Sequence, residues 1–249
     1  MSGHSKWATT KHQKGAKDKA RSKLFAKLIR QVEVAAREGG GDINANATLR
    51  TMFQKARDAS VPMETIERAI KRGTGELEGV RYEAISYEGY APGGVALIVE
   101  CLTDNRNRTS AEVRTIFSRN GGSMAEPGAV AWQFERKGVI MIPASMSEDD
   151  AMALSIELGA EDIVLEDNSW VITCNPSDFN RIRDALEQNG IKYESADLLM
   201  VSSNQAEVTD EAMAKKVLHV IDLLEENDDV QNVWSNLVVP DELLAAITA

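Results

Sequence analysis

Read by its hydrophobic and polar positions, the chain changes character three times. Residues 1–18 are polar, with glycines at Gly3 and Gly15 and no apolar period. From about Lys19 the spacing becomes helical: Leu24, Leu28, Ile29, Val32 and Ala36 share one face, while Lys23, Lys27 and Arg30 share another. Gly39-Gly40-Gly41 stops this helix. Asn44 or Asn46 caps a second, whose buried stripe is Leu49, Met52, Phe53 and Ala56. Pro62 suits the first turn of a third helix, with Ile66 and Ile70 inward and Gly73 as its stop. The pattern predicts a small all-α domain.

After Gly75 the period shortens. Tyr82 to Tyr87 alternates like a strand and runs into Gly89-Tyr90-Ala91-Pro92-Gly93-Gly94, and residues 95–101 are a continuous apolar run of strand length. Residues 108–119 read as a helix with Val113, Ile116 and Phe117 inward, followed by short strand-like segments near 123–126 and 129–135. Residues 138–200 then spell a complete β-α-β-β-α-β cycle, the ferredoxin-like order: a strand at Val139 to Ile142, a helix capped by Ser147, strands at Ile163 to Leu165 and Trp170 to Cys174, a helix opened by Pro176-Ser177-Asp178, and a last strand after Gly190. The segment before it holds only half of such a cycle. The missing helix, capped by Thr209, and the missing strand, Val230 to Leu237, lie at the other end of the chain. The expected fold is therefore α+β: a helical N-terminal domain over residues 1–75 and two ferredoxin-like α/β domains, one (138–204) inserted in the other (76–137 plus 205–249).

Charge adds a functional direction to this plan. The first thirty residues hold nine Lys/Arg and one acid, Asp18. Residues 1–75 carry +9 and the remaining 174 carry −20, within a net of −11. A dense cationic segment releases counterions from a polyanion, whereas an acidic body is repelled by phosphate. The segment is thus expected to bind nucleic acid, with no choice between RNA and DNA from charge alone. Its candidate contacts are Lys6, Trp7, Lys11, His12, Lys14, Lys17, Lys19, Arg21, Lys23, Lys27 and Arg30, Trp7 offering a stacking surface and the cations offering phosphate contacts. A second candidate is the turn Asn105-Arg106-Asn107-Arg108. Arginine pairs with phosphate bidentately and asparagine reads base edges, yet the same residues equally suit a capping turn in which Asn105 or Asn107 caps the helix and Arg106 pairs with an acid.

Other classes find little support. The glycine turns lack the GK[ST] of a phosphate loop, and no nucleophile and base stand at a catalytic spacing. His4 and His12 fall in the polar segment, and His219 sits beside Leu218 and Ile221 in a helical pattern. The acidic runs Glu148-Asp149-Asp150 and Glu225-Glu226 with Asp228-Asp229 read as solvated helix ends, with a divalent-metal nuclease as the minor alternative. No enzyme, cofactor, metal or small-molecule substrate is expected. Cys101 and Cys174 are far apart and outside any CxxC spacing, and no apolar run approaches the ~18–20 residues of a membrane span. A cytoplasmic location without membrane partners is the expectation.

Several motifs together resemble one family. GHSKW at 3–7, KHQKGAKDKARSKLF at 11–25, GGGD at 39–42, YEGYAPGG at 87–94 and CLTDNRNRT at 101–109 are similar to the YebC/PmpR family, which includes the mitochondrial translational activator of cytochrome c oxidase subunit I. The resemblance implies a helical domain and two α/β domains around a cleft. It implies either a DNA-binding transcriptional regulator or a translation factor that binds the large ribosomal subunit and eases stalls at proline-rich stretches. It also implies that Lys6, Trp7, His12 and the following Lys/Arg meet nucleic acid, and that residues 105–108 form a functional surface.

Overall fold

The computed structural model describes residues 18–166 and 168–248. These form two compact units, one of residues 132–205 and one of the described residues on either side of it.

In the larger unit, α1 (Asp18–Gly39), α2 (Ala47–Asp58) and α3 (Met63–Gly73) enclose Leu28, Val32, Ala36, Leu49, Ala56, Val61, Ile66 and Ala69. Leu24, expected inward, is 45% exposed, so the buried stripe of α1 begins one turn later. The reason is where α2 and α3 lie: a Cβ on Gly73 would stand 2.4 Å from the Glu33 carbonyl oxygen, so α3 meets the later turns of α1 at backbone distance. Of the two candidate caps, Asn46 is the one used. Its Oδ1 accepts from the Leu49 N–H at 3.0 Å, while its Nδ2 donates to the carbonyls of Ala35 and Gly40, both at 2.8 Å. One buried amide thus closes the end of α1 and the start of α2. Pro62 stands at the N-cap of α3, one position ahead of its first turn.

The same unit contains an antiparallel sheet in the order β3-β1-β2-β9, from β1 (Glu83–Tyr90), β2 (Ala96–Thr103), β3 (Ser123–Ala125) and, after the second unit, β9 (Val230–Ser235). Between β2 and β3 runs α4 (Arg106–Arg119), and α7 (Glu211–Glu226) precedes β9. One strand expected in this sheet is absent from it. The segment 129–135 is not a strand of this sheet: Ala131–Gln133 is a single 3-10 turn, and the strand after it belongs to the second unit. The vacant place is taken by β1, which pairs with β2 along its whole length from Glu83↔Thr103 to Tyr90↔Ala96. The turn Pro92–Gly94 makes this hairpin possible, with φ of +78° at Gly93 and +75° at Gly94. The result is the ferredoxin-like strand order reached by a permuted chain. Val113 and Phe117 of α4 and Val217, Val220, Ile221 and Leu224 of α7 are fully buried in it. A short parallel pair, β8 (Ala206–Glu207) with β10 (Leu237–Val238), and α8 (Asp241–Thr248) complete the unit.

The second unit is β4 (Phe134–Pro143), α5 (Glu148–Leu158), β5 (Asp162–Glu166), β6 (Ser169–Cys174), α6 (Phe179–Gln188) and β7 (Ser195–Ser202). Its sheet order is β5-β6-β4-β7 with every pairing antiparallel, which is the ferredoxin-like arrangement. Ile140, Ile142, Trp170, Ile172, Phe179, Ile182 and Leu186 fill its core. Ser147 caps α5, its Oγ accepting from the Asp150 N–H at 3.2 Å.

Candidate nucleic-acid interface

Lys6, Trp7, Lys11, His12, Lys14 and Lys17 lie outside the described residues. Lys19 and Arg21 stand in the first turn of α1, and their side chains also lie outside what the structure describes. The remaining cations of α1 are placed, and they face protein. Lys23 Nζ donates to the carbonyl of Glu226 at 3.0 Å, and Lys27 Nζ to that of Glu225 at 2.7 Å. Arg30 Nη1 donates to the carbonyls of Leu102 and Asp228, both at 2.9 Å, and to Asp229 Oδ1 at 3.2 Å, while its guanidinium stacks over Tyr82 at 4.6 Å. The last carbonyls of a helix have no partner within it and carry the negative end of its dipole. Lys23 and Lys27 therefore cap the C-terminus of α7 from outside, and Arg30, one turn on, holds the segment that follows it.

Asp229 is the centre of this contact, and it is 5% exposed. Its carboxylate accepts from Arg108 Nη2 at 2.6 Å, Thr109 Oγ1 at 2.8 Å, Thr103 Oγ1 at 3.1 Å and Arg30. Burial alone pushes its pKa up, but the hydrogen bonds from Arg108, Thr109 and Thr103 outweigh that and hold it below the usual aspartate value. The acidic run read as a solvated helix end thus contains a buried hub. Nothing in the local sequence separates Asp229 from exposed Asp228, because its partners come from positions near 30 and 105.

This hub also arranges the second candidate turn. Asn105 caps α4, its Oδ1 accepting from the Arg108 N–H at 3.1 Å. Arg108, rather than Arg106, pairs with acids: Asp104 at 3.0 Å as well as Asp229. The capping alternative for this turn therefore describes Asn105 and Arg108, whereas Arg106 and Asn107 are exposed at the start of α4. The structure joins Lys23, Arg30 and Arg108 around one cleft of about 500 Å³, whose walls also carry Asp104, Glu112 and Asp228. Its mixture of signs is poorly suited to a polyanion.

Elsewhere the chemistry is sparse. Both thiols are buried and free, and burial pushes Cys101 up to about 12 and Cys174 up to about 11, so neither supplies a thiolate at neutral pH. Among the described residues no three His, Cys, Asp or Glu side chains converge as metal ligands. No described helix is long and apolar enough to cross a membrane.

A basic helical region followed by two ferredoxin-like sheets, one interrupting the other, defines a narrow class of α+β protein. Comparison with known proteins gives the class its family. Residues 5–76 match the TACO1/YebC N-terminal domain, and residues 82–237 match the TACO1/YebC second and third domain, so the chain belongs to the TACO1/YebC family. It is 53% identical to a protein of Halothermothrix orenii, covering 100% of this chain and 99% of that one, and 52% identical to one of Thermobifida fusca, covering 100% of both. Both are called "Probable transcriptional regulatory protein". The crystal structure of a conserved hypothetical protein, Aq1575 from Aquifex aeolicus, is similar over 96% of this chain and 99% of that one, with 44% identity and a TM-score of 0.85.

Proposed function

We propose that this chain is a non-enzymatic regulator of gene expression that binds nucleic acid through its basic N-terminal segment. We assign its action to translation, on RNA of the large ribosomal subunit, where it eases stalls at proline-rich stretches. The observation that carries the nucleic-acid reading is the segregation of charge, +9 over residues 1–75 against −20 over the rest. The docked geometry narrows the contact set. Lys23, Lys27, Arg30 and Arg108 hold the end of α7 and Asp229. Phosphate contact is left to Lys6, Lys11, Lys14, Lys17, Lys19 and Arg21, with Trp7 and His12 against bases or ribose and Arg106 and Asn107 as a secondary surface. Structured RNA suits a basic segment that grips backbone and shape with little base reading.

The names of the relatives favour a second reading, a DNA-binding transcriptional regulator. A helix-turn-helix protein places the N-terminal half of its second helix against base edges. In the α2–α3 pair that half of α3 exposes Glu64 and Glu67, which phosphate repels. This weighs toward RNA. Fluorescence anisotropy with large-subunit RNA fragments and with promoter duplexes, over a range of salt, tests both readings. Six phosphate contacts predict a log–log salt slope of about −4 to −5. Lys11/Lys14/Lys17→Glu is expected to abolish RNA binding, and Lys23/Lys27→Ala to leave affinity within about threefold. A promoter duplex bound far more tightly than RNA or random duplex would replace this proposal with the transcriptional one.

A further inference from the structure

The charge of the second unit is opposite to that of the N-terminal segment. Residues 132–205 hold five Lys/Arg against fourteen Asp/Glu, a net of −9. Three of the five cations are engaged within the unit: Lys137 pairs with Glu135 and Glu161, Arg181 with Asp178 and the Leu158 carbonyl, and Arg183 is buried, while Arg136 and Lys192 are exposed. On this acidic unit α5 satisfies its inner face with Ala151, Ser155 and Leu158, all buried. Its outer face carries Met152 at 52% exposure and Ile156 at 79%, one turn apart. The helix packs against β5, where Leu165, on the same side of the sheet as core residue Ile163, is 52% exposed. Single exposed apolar residues are ordinary, but Met152 and Ile156 are neighbours on one helix face and Leu165 is exposed on the strand that this helix packs against, which together make an apolar strip. Asp149, Asp150, Glu157, Glu161 and Asp162 are exposed around it.

We propose that this strip, the outer face of α5 with Leu165 of β5, docks a cationic amphipathic protein segment whose apolar side chains cover Met152 and Ile156 and whose Lys/Arg meet the acidic rim. Charge complementarity selects this occupant. A second copy of the chain would bring an equally acidic unit against it. The chain's own residues 1–17 bring four lysines but, apart from Met1 and Trp7, no large apolar side chain to fill the strip. A methionine, Met152, within the strip suits a surface that moulds to its partner.

The test uses the full chain and two fluorescent 18-residue peptides of identical Lys/Leu composition. One has its leucines on a single helical face, and the other is scrambled. At about 150 mM salt, where exposed charges more than about 8 Å apart are largely screened, the amphipathic peptide is expected to bind at least tenfold more tightly than the scrambled one. Met152→Ser/Ile156→Ser is expected to remove that preference, with an unchanged thermal midpoint because both side chains face solvent. Asp149→Lys/Glu157→Lys is expected to weaken both peptides. Equal binding of the two peptides, or a serine variant that binds like wild type, overturns the proposal. A dimer in sedimentation that Ile156→Ser converts to monomer assigns the face to a second copy instead. A tenfold gain in peptide affinity on Lys11/Lys14/Lys17→Glu assigns it to the chain's own N-terminal segment. Either of these also overturns the proposal.

Discussion

Replacing Asp229 by alanine removes the acceptor on which four donors converge. The cost follows from what each donor can find afterwards. Thr109 Oγ1 can turn its proton to the Asn105 carbonyl at 3.1 Å, and Arg30 keeps the carbonyls of Leu102 and Asp228. Arg108 is exposed enough to turn to water and adds little. Thr103 is fully buried; its Oγ1 still accepts from the Asn105 N–H at 2.9 Å, and Thr109 at 2.8 Å is left as the neighbour to which its own hydroxyl proton can turn. A hydrogen bond to a charged group is worth about 1.5–3 kcal/mol, and breaking a buried pair about 3–5 kcal/mol. With this partial re-pairing, Asp229→Ala should destabilise the larger unit by about 3 kcal/mol, and Asp229→Asn, which keeps one acceptor, by about 1–2 kcal/mol. At an m-value of about 2.5 kcal/mol per molar urea, the alanine variant loses about 1.2 M in midpoint. Hydrogen exchange in urea, read separately on α7 amides (Val217–Leu224) and on β4 and β6 of the second unit, isolates the effect. Only α7 should shift. A loss below about 0.3 M, or an equal loss in both units, refutes the hub. The pH dependence has a definite sign. Because the folded carboxyl sits below its ordinary 3.8, its contribution is complete above that value and is lost as pH falls through the depressed one. The gap between wild type and Asp229→Asn should therefore be full at pH 6 and narrow below about pH 3.8.

Three further substitutions probe the frame around this contact. Glu88 accepts from the N–H groups of Gly128, Val130 and Ala131 at 2.6, 2.7 and 2.8 Å, so Glu88→Ala should speed exchange of those three amides at least tenfold while leaving α2 unaffected. Gly73→Ala forces a Cβ onto the Glu33 carbonyl and should cost about 2 kcal/mol, seen as a fall of about 5 °C in Tm. Asn46→Ala removes the cap of α2 together with both bonds to the end of α1, and should cost about 2 kcal/mol in urea unfolding.

Much of this fold is legible because it is encoded locally. The spacing of Leu28, Val32 and Ala36, the Gly39–Gly41 stop and the complete cycle of the second unit are all visible within windows of a few tens of residues. The misplaced strand shows where local reading ends. Residues 129–135 and 83–90 look equally strand-like, and only pairing along β2 decides which enters the sheet. The same limit governs the site. A helix face bearing Lys23, Lys27 and Arg30 looks like a phosphate grip when charge is all that is visible. The acceptors that claim it, the last carbonyls of α7 and the carbonyl of Asp228 just beyond, lie about two hundred positions away. Likewise Asp229 looks solvated until β2, α4 and α1 close over it.

The claim that charge is divided between a gripping N-terminal segment and a docked α1 is tested most directly by sedimenting cell lysates through sucrose gradients. Wild type, Lys11/Lys14/Lys17→Glu and Lys23/Lys27→Ala are compared at low and moderate salt. Wild type and the α1 variant should travel with large ribosomal subunits, and the triple glutamate variant should remain at the top. All three remaining at the top at every salt would contradict the placement in translation. An α1 variant that falls off the subunits as completely as the triple variant, while remaining folded, would contradict the division of charge.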